Sequence, residues 1–212
     1  MPKIICISDT HTKHDKLIID SCDILIHAGD FSFMGRPQET TNFLKWFESQ
    51  PATHRIFISG NHDFMDQNEP ALFQALLEQH APTSIYLRNE GCEVKGIKIW
   101  GRPITPTFFD WAFMADPGSP MMLSSLSIIP SDTDILINHG PAHGILDRTK
   151  SGENVGCKDL KNELERLKLK YHIFGHIHES PGQVKVADVT HVNASVLNER
   201  YINANKPIII NY

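Results

Sequence analysis

Near its N-terminus the chain reads Ile4-Ile5-Cys6-Ile7-Ser8-Asp9-Thr10-His11. Four apolar residues make a short buried strand, and a polar Asp-x-His step follows at its C-terminal end. The same pattern recurs along the chain. Ile24–His27 runs into Gly29-Asp30, and Arg55–Ser59 runs into Gly60-Asn61-His62-Asp63. Ile135–Asn138 runs into His139-Gly140-Pro141, and His172–Phe174 into Gly175-His176-Ile177-His178. Five strands thus deliver Asp, Asn or His at their C-terminal ends, the edge where open α/β sheets bind ligands. Alternate residues of an extended segment share a side, so Asp9 with His11, and His176 with His178, are each expected to present two ligands together.

Outward from these steps, Ile85–Leu87, Ile97–Trp100, Val184–Val186, Val189–Val192 and Ile208–Ile210 also read as strands. Helical stripes fall at Gln38–Glu48 (Phe43, Leu44, Phe47), Pro70–Gln79 (Leu72, Phe73, Leu76, Leu77) and Lys158–Leu167 (Leu160, Leu164, Leu167). Strand and helix alternate in the first half, which implies parallel pairing. Ser84–Trp100 reads as adjacent antiparallel strands with a turn near Asn89-Glu90-Gly91, and the last thirty or so residues look all-β. The pattern predicts a mixed pair of sheets with helices outside, as one domain over residues 1–212. Residues 103–130 carry five prolines and the aromatic group Phe108, Phe109, Trp111 and Phe113. A loop of that length is expected to be functional.

Composition narrows the classes. Hydrophobic residues make up 41% and charged residues 21% of the 212 residues, which excludes disorder for most of the chain. No apolar run approaches the roughly 18 residues of a membrane span. The N-terminus lacks the pattern of a signal peptide. The four cysteines form no C-x-x-C pair and read as reduced thiols, so a cytoplasmic location is expected. The net charge is −5, with no basic face, so no long nucleic acid is expected as a partner.

Asp9, His11, Asp30, Asn61, His139, His176 and His178 form an all-O/N donor set. It suits borderline divalent ions such as Mn²⁺, Fe²⁺ or Zn²⁺ better than Ca²⁺ or a thiolate cluster. Seven donors exceed the needs of one ion, so two ions sharing a carboxylate is the economical reading.

The ordered set Asp9-x-His11, Gly29-Asp30, Gly60-Asn61-His62-Asp63, His139 and Gly175-His176-x-His178 resembles the calcineurin-like metallophosphoesterase superfamily. The resemblance implies an α/β fold: a four-layer α/β/β/α sandwich of two mixed sheets, with a dimetal site at the strand C-terminal ends. It implies that one metal takes Asp9, His11, Asp30 and His178, and that the other takes Asp30, Asn61, His139 and His176. Asp30 bridges the pair, and His62 matches the family's catalytic histidine. Trp100-Gly101-Arg102-Pro103, Phe109-Asp110-Trp111-Ala112-Phe113, Asn138-His139-Gly140-Pro141 and Gly152-x-x-x-Gly156-Cys157 are similar to the metallophosphoesterase-domain-containing phosphodiesterases. That subgroup is associated with phosphodiester hydrolysis, including cyclic nucleotides.

The expected chemistry is attack on phosphorus by a hydroxide bridging two ions, Mn²⁺ the first choice. His62 stabilises charge or protonates the leaving oxygen. Arg102, Phe109, Trp111 and His143 are the expected contacts to a small phosphodiester. A phosphomonoesterase is the first alternative. However, Phe33 stands where protein phosphatases carry the Asp that orients the histidine, and the phosphate-gripping Arg that follows it is absent. Arg36, Arg102 and Arg148 are the candidates to replace that cation. A nuclease lacks a basic groove here. A non-catalytic, protein-binding scaffold would have lost donors or His62, and none is lost.

Overall fold

The computed structural model describes residues 1–212. One sheet has the order β13-β1-β2-β3-β4, with β1 Lys3–Ile7, β2 Cys22–His27, β3 Ala52–Phe57, β4 Ile85–Tyr86 and β13 Ile208–Asn211. The second has the order β11-β12-β10-β9-β6-β5. Its strands are β5 Glu90–Val94, β6 Ile97–Arg102, β9 Ile135–Asn138, β10 Tyr171–Phe174, β11 Gly182–Val186 and β12 Val189–Asn193. Strands β1 to β4 are parallel, as strand–helix alternation predicts, and β13 adds an antiparallel edge. The helices are α1 Pro37–Glu48, α2 Phe64–Asn68, α3 Pro70–His80, α4 Pro120–Ser127 and α5 Lys158–Leu164. No helix is long and apolar enough to cross a membrane.

The β-branched runs explain the layering. Strands covered on both faces read as continuous apolar runs. Ile4, Cys6, Ile24, Ile26 and Ile56 face the other sheet and meet Ile99, Ile135, Ile137, Ile173 and Val192. Ile5, Ile7, Leu25 and Phe57 face the opposite way, onto Phe43 and Phe47 of α1 and Phe73 and Leu77 of α3. Leu136 and Phe174 on the outer face of the second sheet pack with Met122 and Leu126 of α4 and Leu160 of α5. The result is the expected α/β/β/α sandwich.

Two local expectations are corrected. The antiparallel hairpin is β5–β6, and it turns at Lys95-Gly96 rather than near Asn89-Glu90-Gly91. Both turn residues take left-handed φ, 54° and 76°, and Gly96 has open space around it. Residues 85–86 instead pair with β3 in the other sheet. Residues 103–130 are not one loop, since they hold the short parallel pair β7 Thr105–Pro106 and β8 Met114–Ala115 and then helix α4. Ser119 caps that helix by accepting from the Met122 N–H at 3.2 Å, a device that a proline count obscures.

On the outer face of the second sheet, His172 and His191 are cross-strand partners, with Nδ1 atoms 3.1 Å apart. The Nε2 of His172 has no partner. Burial drives His172 well below the usual imidazole range and His191 down to about 4. Unfolded imidazoles titrate near 6.5, so below that pH the unfolded chain binds more protons than the folded one. The pair's contribution is therefore complete above pH ~6.5 and is lost as pH falls toward 4. The urea midpoint should drop between pH 7 and pH 5, and drop less in His172→Leu/His191→Leu. Parallel pH curves for the two proteins would remove the pair as the cause.

Candidate metal centre

The strand ends converge as the sequence predicts, but by turns rather than by extended chain. Asp9, His11, Asp30 and His176 sit at φ of 55°, 39°, 57° and 69°, in the left-handed region. Such residues cluster at ligand sites, where the surroundings hold the strain. Here Asp9 N–H donates to Gly29 O and His11 N–H to Asp30 O, each at 3.0 Å, locking the first two strand ends together.

Three groups of donor atoms lie within mutual reach: Asp9, His11 and His178; His11, Asp30 and His62; and Asp30, His139 and His176. Asp9 and His11 fall in one group, as expected. His176 and His178 fall in different groups, which corrects the expectation for that pair. The left-handed turn at His176 parts its ring from that of His178, whereas the left-handed turns at Asp9 and His11 still bring their donors together.

Asp30 lies at the middle of the set. One carboxylate oxygen, Oδ2, is 3.3 Å from His139 Nε2 and 3.7 Å from His11 Nε2. The other accepts the His62 N–H at 2.8 Å. Asp9 accepts the His176 N–H at 2.9 Å and the Ser195 hydroxyl at 2.7 Å, and lies 3.4 Å from His178 Nε2. Asn61 Oδ1 is 2.9 Å from His139 Nε2.

The rings are aimed from behind. His11 Nδ1 donates to Ser32 O at 3.1 Å, His139 Nδ1 to Ala28 O at 2.9 Å, and His178 Nδ1 to Asn198 O at 3.1 Å. A carbonyl on Nδ1 puts the proton there and leaves the Nε2 lone pair facing forward. These lone pairs then meet other acceptors. His11 Nε2 faces His178 Nε2 at 3.4 Å, and His139 Nε2 faces the Asn61 carbonyl oxygen. Acceptors converging on acceptors in a buried site are satisfied by cations between them, so the donor chemistry fits divalent metal.

Without a cation, the same carboxylates draw protons onto the rings instead. Burial opposes ionisation of Asp9, but the His178 hydrogen bond and the charges of His178 and His139 outweigh it and hold the carboxyl low. Burial likewise opposes a proton on His139 and His178. The charge of Asp30 for the first, and the hydrogen bond to Asp9 for the second, nevertheless push both up to about 9. The same carboxylates attract a metal cation in competition with those protons.

Close backbone approach is built into the site. A Cβ on Gly175 would lie 1.9 Å from Asp9 Oδ2, and one on Gly60 would lie 2.3 Å from Asp30 Oδ1. Asp63, quoted in the sequence but given no task there, ties the loops together. Its carboxylate accepts from the N–H groups of Asp30, Ser32 and Gly60 and from the Ser32 hydroxyl, at 2.6–2.9 Å.

His62 sits beside these groups. Its Nδ1 donates to the Phe33 carbonyl at 2.8 Å, and its ring stacks on Trp111 with centroids 4.2 Å apart. Glu39 in turn accepts the Phe33 N–H at 3.2 Å. The residue that replaces the phosphatase Asp thus orients the histidine through its own backbone.

A cavity of about 610 Å³ opens over the centre. Phe108, Phe109, Trp111, Pro141, Val155 and Tyr201 line it along with Asp30, Asn61, His62, His176 and His178, and no lysine or arginine does. Phe109 and Trp111, two of the four expected substrate contacts, are in that lining. Arg102 and His143 are not in it, and burial of Arg102 corrects the expectation that it meets a substrate. Arg102 is completely buried, and its guanidinium donates to Asn138 Oδ1, Ile104 O and Ser125 Oγ. Its place under the turn at Asn138 makes it a support for the strand end. His143 points to the Asp147 carboxylate, 3.7 Å away. Sequence reasoning missed Ser195, two residues past the end of β12, and Asn198 and Tyr201 in the irregular stretch beyond it.

A family model described as calcineurin-like phosphoesterase matches residues 2–180. The chain is 35% identical over 229 residues to metallophosphoesterase domain-containing protein 1 of Homo sapiens, covering 98% of this chain and 70% of that one. It is 32% identical to UPF0046 protein T07D4.2 of Caenorhabditis elegans, covering 98% and 59% of the two chains. Among solved structures, the TT1561 protein of Thermus thermophilus shares the fold, with a TM-score of 0.60 at 11% identity over 91% of this chain and 88% of that one.

Proposed function

From the premise that the chain belongs to the calcineurin-like phosphoesterase family, and is a metal-dependent phosphoester hydrolase with a dimetal site, we propose that it hydrolyses small phosphodiesters, cyclic nucleotides among them, in the cytoplasm. One observation carries the diester reading: no lysine or arginine lines the cavity over the centre. A monoester brings a second negative charge that gains from an Arg or Lys. Arg36, Arg102 and Arg148 all lie outside the lining, so none meets that charge. The apolar walls at Phe108, Phe109 and Trp111 suit an aryl or nucleobase substituent instead.

Asp9, His11, Asp30 and His178 would hold one ion, and Asp30, Asn61, His139 and His176 the other, with Mn²⁺ the first choice. Two divalent ions supply Lewis-acid neutralisation of phosphoryl charge and lower the pKa of water. The chain's own residues do the rest. The Phe33 carbonyl keeps the His62 proton on Nδ1, so Nε2 faces the cavity and, once protonated, gives its proton to the leaving oxygen. Trp111 backs the ring and keeps water from it. Asn61 contributes a neutral oxygen, so the centre keeps net positive charge toward an anion.

EDTA should abolish turnover and Mn²⁺ restore it. kcat/KM should be about 10- to 100-fold higher for bis(p-nitrophenyl) phosphate than for p-nitrophenyl phosphate, the value of one missing charged hydrogen bond. A monoester preference would return the phosphatase reading to first place. Trp111→Ala should lower kcat for every ester by loosening His62, and should raise KM for a nucleotide diester most, since base stacking contributes about 1–3 kcal/mol. Equal KM changes for nucleotide and small aryl diesters would mean that Trp111 serves only His62.

A further inference from the structure

Tyr201 lies between β12 and β13, outside every motif of the sequence, yet its half-buried ring lines the cavity over the centre. The ring stands edge-on to His11 with centroids 5.0 Å apart, and 5.3 Å from His178. Its backbone is left-handed at φ 56°, a conformation that an aromatic residue rarely takes. The surroundings impose it. Tyr201 N–H donates to Asn198 O at 2.8 Å, and the Lys13 ammonium donates to the Tyr201 carbonyl. The Asn198 side-chain oxygen accepts from Arg200 and Ile202 N–H, at 3.0 and 3.1 Å. The carbonyl of Asn198 is the one that orients His178. One loop therefore orients a ligand histidine and sets a tyrosine ring beside it. None of these interactions uses the hydroxyl, which is left free to donate beside a cavity that no lysine or arginine lines.

We infer that Tyr201 contacts the substrate, its hydroxyl donating a hydrogen bond to a non-bridging phosphoryl oxygen on the His11 and His178 side of the centre. A neutral donor gains little from a second negative charge, so it serves a diester monoanion where an arginine would favour a monoester. The inference rests on phosphoester hydrolysis as the reaction and not on the diester preference.

Tyr201→Phe keeps the ring and its packing and removes only the hydroxyl. In the full-length, Mn²⁺-loaded protein, kcat/KM should fall about 10- to 100-fold for whichever aryl ester the wild type hydrolyses best. The Kd of inorganic phosphate, read by calorimetry, should rise by a similar factor, with metal content and Tm unchanged. Wild-type values of both kcat/KM and the phosphate Kd would overturn the inference. Loss of metal from the variant would also overturn it, because the phenol would then serve the ligands rather than the substrate. Failure of the wild type to hydrolyse any ester would strike the reaction instead, and the phosphate Kd alone would then decide the role of Tyr201.

Discussion

Asp30→Asn should lower kcat by about 10³-fold or more and leave the purified protein with less than one metal ion per chain. The expectation comes from the position of one carboxylate. Asp30 belongs to two of the three donor groups, with Oδ2 3.3 Å from His139 Nε2 and 3.7 Å from His11 Nε2. The amide keeps the shape and still offers one oxygen, but it removes the anion shared by both halves of the centre. A loss of 10³-fold corresponds to about 4 kcal/mol of transition-state stabilisation, a modest share of what a two-metal clamp contributes. Metal analysis beside kcat measures both parts of the expectation. Two retained ions with a near-normal rate would show that Asp30 does not bridge.

His62→Ala should be the next most damaging change, but of a different kind. Roughly 10²- to 10⁴-fold in kcat is the usual contribution of a positioned general acid. Metal content should stay normal, because the seven other donors remain. The deficit should shrink for esters with acidic leaving groups, which need less protonation. His62→Gln refills the space against Trp111 and separates lost packing from lost proton transfer. The ring lies within reach of His11 and Asp30, so metal lost from both variants would mark it as a ligand.

Much of this was legible in the sequence because strand ends are local. Ile4–Ile7 followed by Asp9 states both a buried strand and a polar group at its tip, and parallel pairing gathers such tips on one edge of each sheet. Helix α4 was not legible, because Pro120 at its first position looks like a loop residue until the Ser119 cap is seen. The role of Arg102 was misread for a related reason. An arginine in a strand next to a site motif has the right chemistry for a phosphate, and only the sheet register, which pairs it with Asn138, shows it committed to the interior. What orients His62 could not be read at all. A backbone carbonyl has no letter in the sequence, and Phe33 announces its side chain while acting through its main chain. Tyr201 was missed because it reaches the centre from a distant, irregular stretch whose path is set by Lys13 and Asn198.

The four left-handed residues at the centre set thermal selection against catalytic selection. Most non-glycine residues in that conformation cost up to roughly 1–2 kcal/mol, less for Asp, and Asp9, His11, Asp30 and His176 all adopt it. Glycine at any of them would relax the turn while erasing a donor. A library screened only for heat resistance would therefore drift toward a hardy, silent protein, losing its chemistry first at the positions where the chain is most bent to supply it.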